Sequence, residues 1–430
     1  MEFSVVFPII LLFVLFFLKV PIAYSMLIAT VTYFLTNATS MPTDIVVQRM
    51  VSSCESFTYL AIPFFTCAGV VFNYAGITKR LLGLADLIVG HMRGGLGQVN
   101  VVLSALMGGL SGSANADAAM QAKILVPEMT RLGYDKAFST VVTATSSCIT
   151  PIIPPGIILI LYATASNVSI QKMFFAGYLP GLLIMAGLMV LVGVIARKRN
   201  YKPSRTAKPT AGEVLHSLKD SIWALFLPFG LLMGLRFGIF TPTEAGAMCV
   251  VYSVIIGKFV YKELKLSQIP AILKESVTAT AGIMFIIGAA NAFGSFLTWE
   301  RIPIIFSEFL INSVSEPWML LLVVNILLLI VGLFFEGGAA MILLAPLLVP
   351  AASAMGIDLI HFGIVMAINL TIAGVTPPFG AMMFTTLAIT EVPMIDYIKE
   401  VIPFLILMIG LLLLFTFVPQ IILCVPNLLA

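Results

Sequence analysis

Charge is what this chain has least of. Of its 430 residues only 10% are charged against 60% hydrophobic, and the mean hydropathy is +1.09. A water-soluble globule of this size carries a far larger charged share on its surface, so the chain is read as a polytopic membrane protein. Cysteine is scarce as well: the five thiols (Cys54, Cys67, Cys148, Cys249, Cys424) contain no CxxC pair, and their odd number argues against a disulfide framework. The three histidines (His91, His216, His361) are scattered, and no HExxH helix occurs, which excludes a metal cluster or metalloprotease read from spacing. No GxxxxGK[ST] loop is present, so energy must come from a gradient or a partner. A net charge of +3 is too small to imply nucleic-acid binding.

Long hydrophilic stretches are missing too, with one exception. "RKRNYKPSRTAK", residues 197 to 208, is the only extended polar linker. The apolar run Ser4 to Leu18 has no basic segment before it and no small-residue cleavage site after it, so it reads as a first span rather than a signal peptide.

What the chain does contain is two copies of one plan. A single constant offset in numbering aligns Leu125-Val126-Pro127 with Leu348-Val349-Pro350, Gly133 with Gly356, Asp135 with Asp358, Pro154-Pro155 with Pro377-Pro378, and Pro180 with Pro403. This predicts an internal repeat, residues 1–208 and 209–430. At about 20 residues per crossing, spans are expected at 3–19, 21–36, 57–75, 137–166 and 177–196, then at 221–237, 241–260, 277–298, 359–390 and 400–424. Segments 97–132 and 317–354 each hold two short apolar runs around a polar tip and read as re-entrant helical hairpins. Five crossings per repeat is an odd number, which inverts one half relative to the other. The expected fold is an all-α polytopic membrane protein of two inverted-topology repeats, about ten crossings and two re-entrant hairpins.

Basic residues set the orientation. With the six Lys and Arg of 197–208 in the cytoplasm, only Arg49, Lys172, Arg236 and Arg301 fall outside, and both termini are periplasmic.

Four polar interruptions lie at membrane depth: the tips "LSGSANAD" (110–117) and "FEGGAA" (335–340), and the breaks "CITPIIPPG" (148–156) and "IAGVTPPFG" (372–380). Unpaired backbone is tolerated there only where it lines a cavity or is buried in protein. Tip and break together offer free carbonyls, hydroxyls and helix ends, suited to a hard cation or an anion. Asp117 and Glu336 are acids at a depth where each costs roughly 2.5–3.5 kcal/mol to insert. As a plain structural alternative, each would cap or lead a hairpin helix. Glu244 in "TPTEAGA" reads as a first-turn acid and not a ligand.

"GLSGSANADAA" followed by "PEMTRLGYD", the "TPIIPPG" break, "TPTEAGA" and "GVTPPFG" together resemble the large membrane subunit of the tripartite ATP-independent periplasmic (TRAP) transporters, within the ion transporter superfamily. The resemblance covers essentially the whole chain. It implies a sodium-driven importer of organic acids in the bacterial inner membrane, with an elevator mechanism and no cofactor beyond the coupling ion. Its implied partners are a four-helix small membrane subunit, here a separate polypeptide, and a periplasmic substrate-binding protein. Sialic acid is the favoured cargo and a C4-dicarboxylate the alternative.

On this reading Ser111, Gly112, Ser113, Asn115 and Asp117 with Ser147 and Thr150 hold one sodium ion. Glu336, Gly337 and Gly338 with Thr371, Gly374 and Thr376 hold the other. Ser113, Asn115, Pro154, Pro155, Asn369, Pro377 and Pro378 border the substrate. The amphipathic stretches 77–93 and 301–314 are expected as interfacial arms. Two rivals remain: a stand-alone dicarboxylate/sodium symporter, and an intramembrane enzyme, for which paired acids in a protease-like setting are lacking.

Overall fold

Twenty α-helices and no strand make up the described residues of the computed structural model, namely 3–18, 20–37, 42–205 and 207–429. Lys19, at the end of the first expected span, and Thr206, in the linker, lie outside them. The first half runs α1 (Phe3–Phe17), α2 (Ile22–Thr36), α3 (Ile45–Cys54), α4 (Ala61–Tyr74), α5 (Ile77–Val89), α6 (Gly95–Gly108), α7 (Ala114–Arg131), α8 (Lys136–Ser146), α9 (Ile157–Ala165) and α10 (Ile170–Lys198). The second runs α11 (Ala211–Arg236), α12 (Pro242–Ile255), α13 (Ile269–Trp299), α14 (Ile302–Ser313), α15 (Pro317–Gly332), α16 (Gly337–Ala354), α17 (Leu359–Ala373), α18 (Ala381–Thr390), α19 (Met394–Phe417) and α20 (Pro419–Leu429). The chain is an all-α polytopic membrane protein.

Helix boundaries follow the repeat register closely. Shifted by the repeat offset, α7 coincides with α16 at both ends, and α6, α8, α9 and α10 start within one residue of α15, α17, α18 and α19. Packing between the halves is crosswise. α7 lies against α18 while α16 lies against α9, and α4 meets α12 while α13 meets α2. At the centre, the Cys148 thiol donates to the Thr371 carbonyl at 3.3 Å, a contact between two positions 223 residues apart and therefore equivalent in the repeat. Equivalent positions of the two halves therefore touch between the two broken helices.

Turn chemistry explains where the helices stop. Thr241 and Glu244 form a capping box on α12, as do Thr210 and Glu213 on α11. α8 and α17 end where proline removes the next donors, at Pro151 and at Pro377-Pro378. Pro419 likewise begins a new helix, which divides the span expected at 400–424 into α19 and α20.

Eight segments among the described residues are long and apolar enough to cross a bilayer by length and composition. They include both helices of the second hairpin, Pro317–Phe334 and Gly337–Ala354, so shortness does not make that hairpin turn back. Its loop does: Leu333 to Glu336 returns the chain so that α15 and α16 pack side by side. Conversely α1 and α2 have 15 residues each, a rise of about 22 Å, less than the full hydrocarbon core.

The polar linker is a strap rather than a tether. Arg199 pairs with Asp135 at the start of α8 (3.1 Å) and with Glu400 on α19 (2.9 Å). Ser204 donates to Asp86 of α5 at 2.6 Å, and the Tyr134 hydroxyl donates to the Lys202 carbonyl at 2.7 Å. Tyr201 stacks on Tyr134 with ring centroids 4.5 Å apart. Burial, and then its hydrogen bond to Asp135, push the Tyr201 phenol above its ordinary range.

Candidate functional site

The two hairpin tips begin α7 and α16 with the same device at equivalent positions. Ser113 caps α7, its hydroxyl accepting from the Ala116 N–H at 3.4 Å. Glu336, its counterpart in the repeat, caps α16 with a carboxylate that accepts from the N–H groups of Gly338 (3.0 Å) and Ala339 (3.2 Å). Acceptors at a helix N-terminus satisfy donors that the helix leaves orphaned, and a negative charge there gains from the dipole.

Both tips face one cleft. It holds a cavity of about 100 Å³, partly open to solvent, and it is walled by Gly112 to Asn115, by Glu336 to Ala339, and by Thr371 and Gly374 of the second broken helix. Ile283 and Ile286 of α13 form an apolar side. The α9 and α18 N-termini, at Ile157 and Ala381, also border it, so four helix starts converge here. Among the described residues neither Lys nor Arg lines the cleft. An anion there meets neutral donors: backbone N–H groups at helix N-termini, with the Ser113 and Thr371 hydroxyls and the Asn115 amide beside them. Asn115 adds a buried side-chain oxygen with no hydrogen-bond partner in the structure, an acceptor available to a hard cation or a ligand hydroxyl.

Asp117 is not in that cleft. One helical turn below Ser113, it is 1% exposed and enclosed by neutral donors. Its Oδ2 accepts from Ser104 and Thr150, both at 2.8 Å, and its Oδ1 accepts from Gln121 Nε2 at 2.7 Å. Gln121 Nε2 also donates to Ser104 Oγ at 2.7 Å, while Gln121 Oε1 is buried without a partner. The repeat counterparts of Ser104, Asp117, Gln121 and Thr150 are Leu327, Ala340, Leu344 and Ala373. The acid cluster thus belongs to the first half alone, and the same place in the second half is filled with hydrocarbon.

A family model described as "Tripartite ATP-independent periplasmic transporter, DctM component" matches residues 9–421. The chain belongs to this family. It is 38% identical over 379 residues to the C4-dicarboxylate TRAP transporter large permease protein DctM of Pseudomonas aeruginosa, covering 88% of each chain. It is 36% identical over 415 residues to the sialic acid TRAP transporter large permease protein SiaM of Vibrio cholerae, covering 96% of each. With the 2,3-diketo-L-gulonate TRAP transporter large permease protein YiaN of Escherichia coli it shares 35% identity over 404 residues and 94% of each chain. The YdaH transporter of Alcanivorax borkumensis shares the fold, with a TM-score of 0.64 at 14% identity, covering 86% of this chain and 87% of that one.

The expected site residues of this TRAP permease do not all gather in one place. Gly112, Ser113, Asn115, Glu336, Gly337, Gly338, Thr371 and Gly374 border the cleft. Asp117 and Thr150 meet in the deeper cluster. Ser147 donates to the Thr143 carbonyl at 2.8 Å and also faces the Asp117 carboxylate, so it joins the deeper cluster, while Ser111 donates to Met107 at 3.4 Å and Thr376 to Ile372 at 2.8 Å, each just past the end of its helix. Pro154, Pro155, Pro377 and Pro378 shape the two breaks, and Pro151 is the proline that borders the cleft. Asn369 donates to Asn325 Oδ1 at 2.8 Å and to its carbonyl at 3.0 Å, joining α17 to α15. Sequence reasoning passed over Ser104 and Gln121. Gln121 sits four residues after Asp117 on one helix face, a spacing that could have revealed it, whereas Ser104 comes from α6 with no local sign.

Gly112 shows why the tip needs glycine. Its φ is +58°, and a Cβ there would stand 2.4 Å from the Pro155 carbonyl oxygen. Gly133, at φ +88°, has nothing within 4 Å of such an atom. Gly112→Ala is expected to cost roughly 2–4 kcal/mol, combining the left-handed penalty with a backbone clash, and Gly133→Ala only about 1–2 kcal/mol. Thermal unfolding of both variants in detergent checks this; equal losses would remove the close approach as the reason.

Proposed function

We propose that this chain is the large permease subunit of a sodium-driven importer of a small organic anion in the bacterial inner membrane. The relatives carry names that specify C4-dicarboxylate, sialic acid, 2,3-diketo-L-gulonate and isethionate. All are small anions with polar bodies, and sialic acid remains the favoured cargo here. The observation that carries the reading is the cleft between tips, which pairs helix N-termini with two acceptors, Asn115 Oδ1 and the Glu336 carboxylate. One set suits the cargo's carboxylate and the other suits sodium.

The inverted repeats 1–208 and 209–430 each supply one sodium site in this account. The first two spans of each form a scaffold, while the hairpins and broken helices form a transport domain linked to it by α5 and α14 as arms. The transport domain moves as an elevator with the 197–208 strap in the cytoplasm and both termini in the periplasm. A four-helix membrane subunit and a periplasmic binding protein complete the machine. Sodium orders the tips, so the cargo site is competent chiefly when the ions are bound, and coupling follows from that difference in affinity.

Glu336→Gln tests it. The amide oxygen can still cap α16, but the charge offered to the ion is gone. With the three components in liposomes, the sodium concentration for half-maximal uptake of labelled sialic acid or succinate is expected to rise about tenfold, within the usual range of coupling energies. An unchanged sodium dependence would remove Glu336 from the ion site, and uptake indifferent to sodium would refute sodium coupling.

A further inference from the structure

α13 carries Asn291, Ser295 and Thr298 on one face, at spacings of four and three residues. Each is satisfied on its own helix: Asn291 donates to the Ile287 carbonyl at 2.9 Å, Ser295 to Ala292 at 2.6 Å and Thr298 to Gly294 at 2.8 Å. Asn291 also bonds the Tyr59 hydroxyl, while Ser295 and Thr298 bond within α13. All three, with Tyr59, line a slot of about 640 Å³, open to solvent, whose opposite wall is Ile342, Leu343 and Pro346 of α16. Ile342 also borders the cleft between the tips, so the slot and the cleft adjoin along α13 and α16.

The other half of the chain supplies an internal control. The repeat counterparts of these three residues are Ala68 and Phe72 on α4 and Ala75 just after it, all buried. A helix in this place packs well with hydrocarbon there, so the polar face of α13 is not something the fold requires. The slot has one charged residue among its described lining, Arg49 of α3. It is exposed, and no carboxylate of the described residues lies within ion-pair distance of it. No acid among the described residues lines the slot. A lone guanidinium in a cleft with low-dielectric walls concentrates anions, and its planar fork matches a carboxylate or sulfonate.

We infer that the slot between α13 and α16 is a second site for a small organic anion, in which Arg49 takes the acid group and the polar face of α13 takes the hydroxylated body on the way to the tip cleft. The inference rests on the proposal that the cargo is an organic anion, and it adds the residue that recognises the charge before the cleft is reached. Arg49 is then a specificity residue outside the ion sites.

The test uses charged thiol reagents, so it does not depend on the cargo. Thr298→Cys is made in the full chain with its five native cysteines replaced, and modification is timed with an anionic ethylsulfonate thiosulfonate and a cationic trimethylammonium one. The anionic reagent is expected to react roughly tenfold faster with Arg49 present than with Arg49→Ala, with Arg49→Lys recovering most of the rate and the cationic reagent gaining nothing from Arg49. Ser295→Cys gives the same comparison should Thr298→Cys fail to fold. An anionic rate unaffected by Arg49→Ala at a folded reporter position would overturn the inference. If charge selection is present but the complete assembly takes up no organic acid, the anion slot stands and the cargo proposal falls.

Discussion

Asp117→Ala is expected to cost roughly 3–6 kcal/mol, the summed penalty of orphaning several buried donors and enough to deplete the folded protein from the membrane. Ser104, Thr150 and Gln121 donate to that carboxylate, and Ser147 faces it as well. Removing the acceptor leaves each buried at a penalty of about 1–3 kcal/mol unless it finds another partner. Thr150 has one, the Ser104 carbonyl at 3.1 Å, which keeps the total below the upper limit. Asp117→Asn is the informative companion. It keeps the shape, and the two hydroxyls can turn to accept from its amide, so stability should stay within about 1 kcal/mol of the parent. Its charge is lost, however, and sodium-dependent uptake should fall by about tenfold or more if that carboxylate serves the first ion site. Thermal unfolding and sodium titration of uptake, run on both variants, separate the two roles. Normal sodium dependence in Asp117→Asn would leave Asp117 as the core of a purely structural hydrogen-bond cluster.

Much of the architecture was legible because proline and glycine act locally. The Pro154-Pro155 and Pro377-Pro378 pairs end helices wherever they occur, and their common offset exposed the repeat before any packing was known. Glu336 was legible as a cap for the same local reason, and so was Glu244, which closes a capping box with Thr241. The site was less legible where it depends on distance. Nothing in the order of residues says that Asn369 faces Asn325 rather than the cleft, since an asparagine in an apolar helix serves either purpose. Ser104 reaches Asp117 only because α6 returns beside α7. Hairpin 2 illustrates the converse: its helices have the length and composition of full spans, and only the short loop at Leu333 to Glu336 turns them back.

The division of the acids between halves also bears on mechanism. The first half keeps its carboxylate deep and fully hydrogen-bonded, while the second keeps Glu336 exposed at the tip with its oxygens on two N–H groups. The repeat positions differ in both charge and depth; on the proposed function, Glu336 is the acid that meets an ion arriving through the cleft.

The account's central claim is that this permease works as one part of a three-part importer. Its polar linker is bound down to α5, α8 and α19, so it is not free to capture a dilute solute. A docked binding protein can favour the outward-facing state by its higher affinity for that state, which a free solute does only to the extent that it binds the two states differently. The direct measurement is uptake of labelled sialic acid or succinate into liposomes under an inward sodium gradient, with this chain alone and then with a four-helix small subunit and a loaded binding protein. The predicted result is near-background uptake by the chain alone and a rise of about tenfold or more when both partners are added. Robust sodium-driven uptake of free substrate by this polypeptide alone would contradict the account and establish a stand-alone symporter.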